Sequence, residues 1–277
     1  MPDRRLTPAT PRVAHVSLRG LVPATRFTEG EALRVTVPLV DLLRAPGCAR
    51  ERQLWLGDGF TVIDRDQGHA FGFAAKDGFC GWLPEGSLGQ SPEPSHWIAS
   101  PGSHLYPEAR VQSPQLAALP MGARLTVTAQ TAKWSETPLG FVPTPHLRAL
   151  GDWLTDPVAV AEAQLGTAYL WGGNSRAGMD CSGLAQLALL SCGLPCPGDS
   201  DLQESLGEDA GLAASFRRGD LLFWRGHVAL ITDQTRLIHA NGHTMSVAYE
   251  DIAGCIARIK AQDGGAVTRH RRLTPAT

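Results

Sequence analysis

Between Tyr169 and Gly193 a glycine-rich polar loop turns directly into a helix, and the rest of the chain is organised around that junction. The loop runs Tyr169-Leu170-Trp171-Gly172-Gly173-Asn174-Ser175-Arg176-Ala177-Gly178-Met179 and ends in Asp180-Cys181-Ser182-Gly183. From Leu184 the residues are strong helix formers, stopped by Gly193, a residue suited to a helix C-terminus. Asp180 suits the N-cap, which puts Cys181 in the first helical turn. Unpaired N–H groups and the helix dipole at that position favour a thiolate, the nucleophilic form of cysteine. A cysteine nucleophile also needs a base from elsewhere in the fold.

Two histidines stand where such a base would be useful. His227 lies between the apolar runs Leu221-Leu222-Phe223-Trp224 and Val228-Ala229-Leu230-Ile231, which read as strands. His239 lies near the end of a third run, Arg236-Leu237-Ile238-His239-Ala240-Asn241, after a turn at Asp233-Gln234-Thr235. Neighbouring strands of one hairpin can put both histidines on one face. His15, His69, His96, His104, His146, His243 and His270 are read as surface or hydrogen-bonded residues. Cys48, Cys80, Cys192, Cys196 and Cys255 are read as small buried hydrophobes. Cys192 and Cys196 lack a second pair at zinc-site spacing, so no metal site is expected.

The Asp180-Cys181-Ser182-Gly183, Gly219-Asp220-Leu221…His227-Val228 and Ile238-His239-Ala240 boxes, in this order, resemble the NlpC/P60 family of papain-like cysteine peptidases. The resemblance covers roughly Asp156 to Ile259. It implies Cys181 as nucleophile, His227 as base and His239 as the residue orienting His227, with no cofactor. One branch, the γ-D-glutamyl-L-diamino-acid endopeptidases of the dipeptidyl-peptidase VI type, also resembles this chain at Tyr169, Trp171, Asp180, Ser182 and Ser200. That likeness implies that Asp180 and Tyr169 bind the free α-amine of an N-terminal L-Ala. Ser182 and Ser200 would bind the D-Glu carboxylate, and Asp58 in Leu56-Gly57-Asp58 would close the amine pocket. Relatives often carry an arginine before the Asp199-Ser200 pair, where this chain has Gly198. Asp180 as a plain cap, Tyr169 and Trp171 as core residues, Ser200 as a cap of the following helix and Asp58 as a turn residue remain open.

Ahead of this domain the pattern is β. Val35-Thr36-Val37-Pro38-Leu39-Val40 and Phe60-Thr61-Val62-Ile63 are short runs between Gly, Pro and Asp punctuators. A second β region runs from about Trp97 to Leu147. Gly57-Asp58-Gly59-Phe60 parallels Gly122-Ala123-Arg124-Leu125, and Gly81-Trp82-Leu83-Pro84…Leu88 parallels Gly140-Phe141-Val142-Pro143…Leu147. The repeat resembles tandem bacterial SH3-like barrels. The expected organisation is thus multidomain: 1–90 with a first SH3-like β-barrel, 91–150 with a second, an α+β papain-like domain over 151–262, and a tail over 263–277. In the α+β domain, Asp156-Pro157 should open a helix reaching Leu165. A short helix is expected between Gln203 and Ala214, and Val247-Ala248-Tyr249 and Ile256-Ala257-Arg258-Ile259 continue the sheet. The echo of Arg4-Arg5-Leu6-Thr7-Pro8-Ala9-Thr10 in Arg271 to Thr277 has no physical account; both copies are read as extended.

A hydrophobic fraction of 43% supports ordinary cores, and a net charge of −2 offers no attraction for nucleic acid or anionic membranes. No apolar run is long enough to span a bilayer. Met1 to Pro8 lacks the apolar stretch of a signal peptide, which favours the cytoplasm; the resemblance implies a short murein peptide with a free N-terminal L-Ala as substrate, and a monomer is expected. An amidase or acyltransferase on intact wall, or an inert wall-binding module, are the other readings; the intact Cys181, His227 and His239 argue against the second.

Overall fold

Short β runs cut by Gly and Pro can bury an apolar face only by pairing with one another, and the N-terminal half of the chain does this. The computed structural model describes residues 3–262 and 264–273, and the chain divides into two compact units, Met1–Leu150 and Gly151–Thr277. In the first, seven antiparallel strands are ordered Arg50–Trp55, Leu39–Leu43, Cys80–Pro84, His69–Ala74, Gly59–Asp66, Glu31–Val35, Leu88–Gly89. Val40, Leu42, Leu54, Phe60, Val62 and Leu83 fill its core. The run read from Val35 to Val40 breaks at Pro38 into two strands, since proline has no N–H for the ladder.

The second β region consists of smaller sheets. His96–Ile98 lies between Arg124–Leu125 and Leu147–Ala149, Gly102–Leu105 pairs with Ala117–Pro120, and Ala129–Gln130, Trp134–Thr137 and Gly140–Pro143 form a meander. The sequence repeat has a structural counterpart. Gly57 and Gly122 both take positive φ, +80° and +90°, just before a strand. The strands Cys80–Pro84 and Gly140–Pro143 each run into a 3₁₀ turn, Glu85–Ser87 and Thr144–His146, and then into a closing strand.

In the second unit, helix Pro157–Glu162 starts under an Asp156 cap that accepts from Val158 N at 2.9 Å and Ala159 N at 3.2 Å. It ends sooner than Leu165. Helix Cys181–Ser191 is buried on nearly every side and packs on Pro157–Glu162 and on the strands His227–Ile231 and Arg236–Asn241. An all-round apolar helix suits a core position. The next short helix is Ser200–Gln203, earlier than expected, and Glu208–Asp209 after it is a strand. The sheet is antiparallel and six-stranded, ordered Glu208–Asp209, Arg269–Arg272, Leu221–Trp224, His227–Ile231, Arg236–Asn241, Ser246–Asp251.

Three expectations are corrected here. Ile256 to Ile259 belongs to helix Ile252–Ala261, capped by Asp251, whose carboxylate accepts from Gly254 N at 2.8 Å. Ile252, Cys255 and Ile259 recur at helical spacing and bury against Leu222, Trp224, Ala229, Ile231 and Leu237. Segment 263–277, read as a tail, supplies the strand Arg269–Arg272 inside the sheet. Its anchor is the fully buried His270, with Nε2 2.8 Å from Asp220 Oδ2 and Nδ1 3.2 Å from Gly211 O. Arg272 bonds the same carboxylate through Nε at 2.9 Å and Nη2 at 2.7 Å. Of the terminal echo, Arg4–Leu6 is a 3₁₀ turn rather than extended, and 274–277 lie outside the described residues.

Burial works against the Asp220 carboxylate, but Arg272 and His270 outweigh it and hold its pKa below the ordinary carboxylate value. A depressed folded pKa gives stability above the unfolded value, about 3.9, that is lost as pH falls through the folded one. Asp220→Ala strands His270 and Arg272 without their shared acceptor and is expected to cost about 3–5 kcal/mol of stability. Urea unfolding at neutral pH should show this loss, and its gap from wild type should narrow on acidification below about pH 4.

Candidate active site

The first turn of helix Cys181–Ser191 is set by Asp180, whose two carboxylate oxygens are both engaged. Oδ1 accepts from Gly183 N at 2.6 Å and Ser182 Oγ at 3.0 Å, and Oδ2 accepts from Gly172 N at 2.8 Å. Gly183 is required by space, since a Cβ there would lie 2.3 Å from Gly173 O. The loop before it forms a hairpin, Asn174–Ser175 with Gly178–Met179. Tyr169 N bonds Met245 O at 2.9 Å, tying the loop to the far end of the sheet.

Cys181 is buried, and its sulfur meets the backbone N–H groups of Val228, Ser182 and Cys181 itself. Val228 follows His227, so the thiol lies against the start of the His227–Ile231 strand. That start is unpaired on one side, because the ladder to Arg236–Asn241 covers only Leu230↔Ile238 and Ile231↔Leu237. These N–H groups lower the thiol pKa, as the helix-start argument anticipates. They do not win: burial first, and then the Asp180 charge, push Cys181 up to about 12.

Extending that register puts residue 229 opposite 239, so His227 and His239 are diagonal neighbours on one face of the sheet. Their rings meet with Nε2 of His227 2.8 Å from Nδ1 of His239. His239 is wholly buried, while His227 is half-buried beside the Trp224 ring, 5.7 Å between centroids. Burial first, and then the partner histidine, hold His227 well below the ordinary histidine range. Burial and the Arg258 charge hold His239 down as well, against an upward pull from Glu250. At neutral pH the thiol and both imidazoles therefore rest neutral. With Nε2 of His227 committed to His239, the nitrogen left for the thiol proton is Nδ1. His243 uses its backbone N–H on Asn241 and stands outside this pair.

The remaining expected residues divide. Burial first, and then the charges of Cys181 and Asp180, push the Tyr169 hydroxyl pKa up. Trp171 is 71% exposed and is not a core residue. The Ser182 hydroxyl proton is already given to Asp180. Ser200 is buried at the first position of helix Ser200–Gln203, whose N-cap is Asp199, so Ser200 is not the cap. Gln203 Nε2 donates to Ser182 O and Pro197 O, both at 3.0 Å, pinning that helix to the Cys181 turn. Asp58 lies in the N-terminal unit, 1% exposed, with Oδ2 accepting from Lys76 Nζ at 2.7 Å and Trp55 N at 3.0 Å. Lys76 Nζ also sits 3.8 Å over the Trp55 ring. Cys80, Cys192, Cys196 and Cys255 are buried as expected, but Cys48 is exposed.

Sequence reasoning missed Glu250, Arg258 and the position of Cys255. Glu250 Oε2 is 3.1 Å from His239 Nε2, at an angle too bent for a well-formed hydrogen bond. Arg258 grips Glu250 with Nε at 2.8 Å and Nη2 at 2.6 Å. His239, Glu250 and Cys255 place one donor atom each within 4.8 Å of one another. A cation there would have to displace Arg258. Alternation along the Ser246–Asp251 strand could have pointed to Glu250, but only with the register known.

Residues 166–260 match the NlpC/P60 family, and residues 42–88 match the bacterial dipeptidyl-peptidase SH3 domain. The chain is 29% identical to dipeptidyl-peptidase 6 of Lysinibacillus sphaericus over 165 residues, 53% of this chain and 60% of that protein. It is 37% identical to protein P54 of Enterococcus faecium over 89 residues, 30% of this chain and 17% of that protein. The crystal structure of an NlpC/P60 family protein from Bacillus cereus superposes with a TM-score of 0.75 at 21% identity, covering 88% of this chain and 100% of that one. At that identity the likeness is one of fold.

With its thiol pushed up to about 12, Cys181 should react with iodoacetamide at a rate that climbs throughout pH 7–10. Peptide-resolved mass spectrometry separates it from the other cysteines. A plateau below pH 8 would mean a preformed thiolate–imidazolium pair.

Proposed function

Starting from a chain that belongs to the NlpC/P60 family and carries an N-terminal bacterial dipeptidyl-peptidase SH3 domain, we propose a cysteine peptidase that cuts the γ-D-Glu–diamino acid bond of free murein peptides. The observation that carries the reading is the thiol of Cys181 at a helix start, against the strand of His227, whose ring is bonded to His239 at 2.8 Å. His227 Nδ1 takes the thiol proton as sulfur attacks the γ-amide carbonyl. The Cys181 backbone N–H faces the developing oxyanion. His227 then gives its proton to the leaving amine and activates water against the thioester. Because thiol and imidazole both rest neutral, proton transfer and attack are coupled. No step calls for a metal or organic cofactor.

The substrate assignment rests on Asp180, Tyr169, Trp171, Ser182 and Ser200. Asp180 caps the helix through Oδ1, so a substrate ammonium can add to Oδ2 without breaking the cap. Tyr169 beside it supplies a hydroxyl, and the exposed Trp171 ring a wall. Ser182 binds a carboxylate only by turning its proton away from Asp180, which leaves Ser200 the better donor. Asp58 as part of the amine clamp loses support, because its carboxylate already neutralises the buried Lys76. We read the 91–150 region as a second SH3-like module from its repeated closing strand, 3₁₀ turn and strand. The setting we propose is the cytoplasm, where free wall fragments occur and the six free cysteines stay reduced.

Cys181→Ala should abolish turnover of L-Ala-γ-D-Glu-diaminopimelate with the fold intact, and His227→Ala should slow it by about 10²–10⁴. N-acetylation of the peptide removes the charge that Asp180 would hold, a loss of roughly 3–5 kcal/mol. Its rate, followed by mass spectrometry at matched concentration, should drop by a few orders of magnitude. Equal rates on the free and acetylated peptides would leave Asp180 a helix cap alone and favour muramyl-linked substrates.

A further inference from the structure

We propose that Glu250 and Arg258 are positioning residues for the His227–His239 pair: the Glu250 carboxylate selects the tautomer of His239, and the Arg258 guanidinium keeps that carboxylate from charging it. The proposal rests on the reading of Cys181 and His227 as nucleophile and base.

The four side chains form a line across three strands and a helix. His227, His239 and Glu250 lie on one face of the sheet, each diagonal to the next, since His239 pairs with Ala248 and Glu250 stands two residues further. Arg258 projects from helix Ile252–Ala261, which covers that face. A neutral imidazole has one donor and one acceptor nitrogen, so fixing one end of the line fixes the other. Glu250, held by Arg258, is acceptor-only. Its Oε2 lies 3.1 Å from Nε2 of His239, and although the contact is bent, a carboxylate at that distance favours the tautomer with the proton on Nε2 over one that sets lone pair against lone pair. Nδ1 of His239 is then a bare lone pair, and the 2.8 Å contact requires His227 to donate from Nε2. Nδ1 of His227 is left bare in turn, in the state a general base needs.

A carboxylate alone would overshoot. Beside a buried imidazole it favours imidazolium, and a charged His239 would donate from Nδ1 against His227. Arg258 prevents this by sharing both Glu250 oxygens, at 2.8 Å and 2.6 Å. The other groups near His239 leave the balance unchanged. Cys255 is a neutral thiol pushed up to about 12 by burial and by Glu250. His243, like Arg258, opposes a charge on His239.

The roles separate in two variants of the full-length protein. In Glu250→Gln the amide oxygen faces Arg258, leaving its NH₂ toward His239, which reverses both tautomers. Turnover of the free tripeptide should fall roughly 10–100-fold at every pH, with partial rescue by Glu250→Asp. In Arg258→Met the unshared carboxylate lets His239 charge. The acid limb of kcat/KM should move up by roughly 1–2 pH units while the alkaline plateau stays within a few-fold of wild type. Histidine ¹⁵N NMR of the wild type at neutral pH gives a test independent of turnover and of whether either variant folds. His239 should be neutral with its proton on Nε2, and His227 likewise. A proton on Nδ1 of His239, or a doubly protonated His239, overturns the proposal, as does a Glu250→Gln protein with wild-type tautomers and rate. If the wild type shows the expected tautomers but leaves the tripeptide uncut, the substrate reading fails and the positioning line stands.

Discussion

The His227–His239 contact decides what Cys181 can do. It closes because the two strands put both rings on one face, and because His239 is buried deeply enough to have few other orientations. The sulfur approaches from the other side, where the His227 strand has not yet joined its neighbour and Val228 N–H is free to meet it. A ladder longer by one pair at that end would have claimed this amide. The site thus depends on where pairing stops as much as on which residues are present.

Placing the nucleophile at a helix start carries a conflict. The amides of the first turn stabilise a thiolate, yet the same turn needs Asp180 as its cap, and that charge together with burial raises the thiol. The outcome is a sulfur that rests protonated at neutral pH. Such a thiol is protected from stray oxidation and alkylation, since reactivity follows the thiolate. The Asp180 charge that opposes the thiolate is also the one available to a substrate ammonium. On the reading proposed above, binding that ammonium would offset the Asp180 charge and ease ionisation of Cys181.

Much of this was legible in the sequence because its signals are local. Asp180 as cap, Cys181 in the first turn, the Asp233 turn and the Asp156-Pro157 helix start each depend on a few adjacent residues. The pairing of His227 with His239 was legible through period-two alternation. What escaped was non-local. Ile256 to Ile259 reads as β-branched strand material, yet Asp251 caps it as a helix and Ile252, Cys255 and Ile259 find a sheet to bury against. Glu250 and Arg258 acquire a role only through the register of three strands and the docking of that helix. The partner of Asp58 was equally hidden, because nothing in its neighbourhood announces Lys76, eighteen residues away along the chain.

The strand Arg269–Arg272 has a consequence for how the domain forms. It sits between Glu208–Asp209 and Leu221–Trp224, although it follows both by many residues. The hairpins from Leu221 to Asp251 join near neighbours and can pair early, whereas this strand must close a long loop first. Without it Leu221-Leu222-Phe223-Trp224 would be an open edge of four apolar residues, with backbone donors and acceptors unmatched on that side. An edge of that kind pairs with whatever strand arrives first. Losing or truncating Arg269–Arg272 would therefore leave both histidines beside an edge prone to pair with another chain.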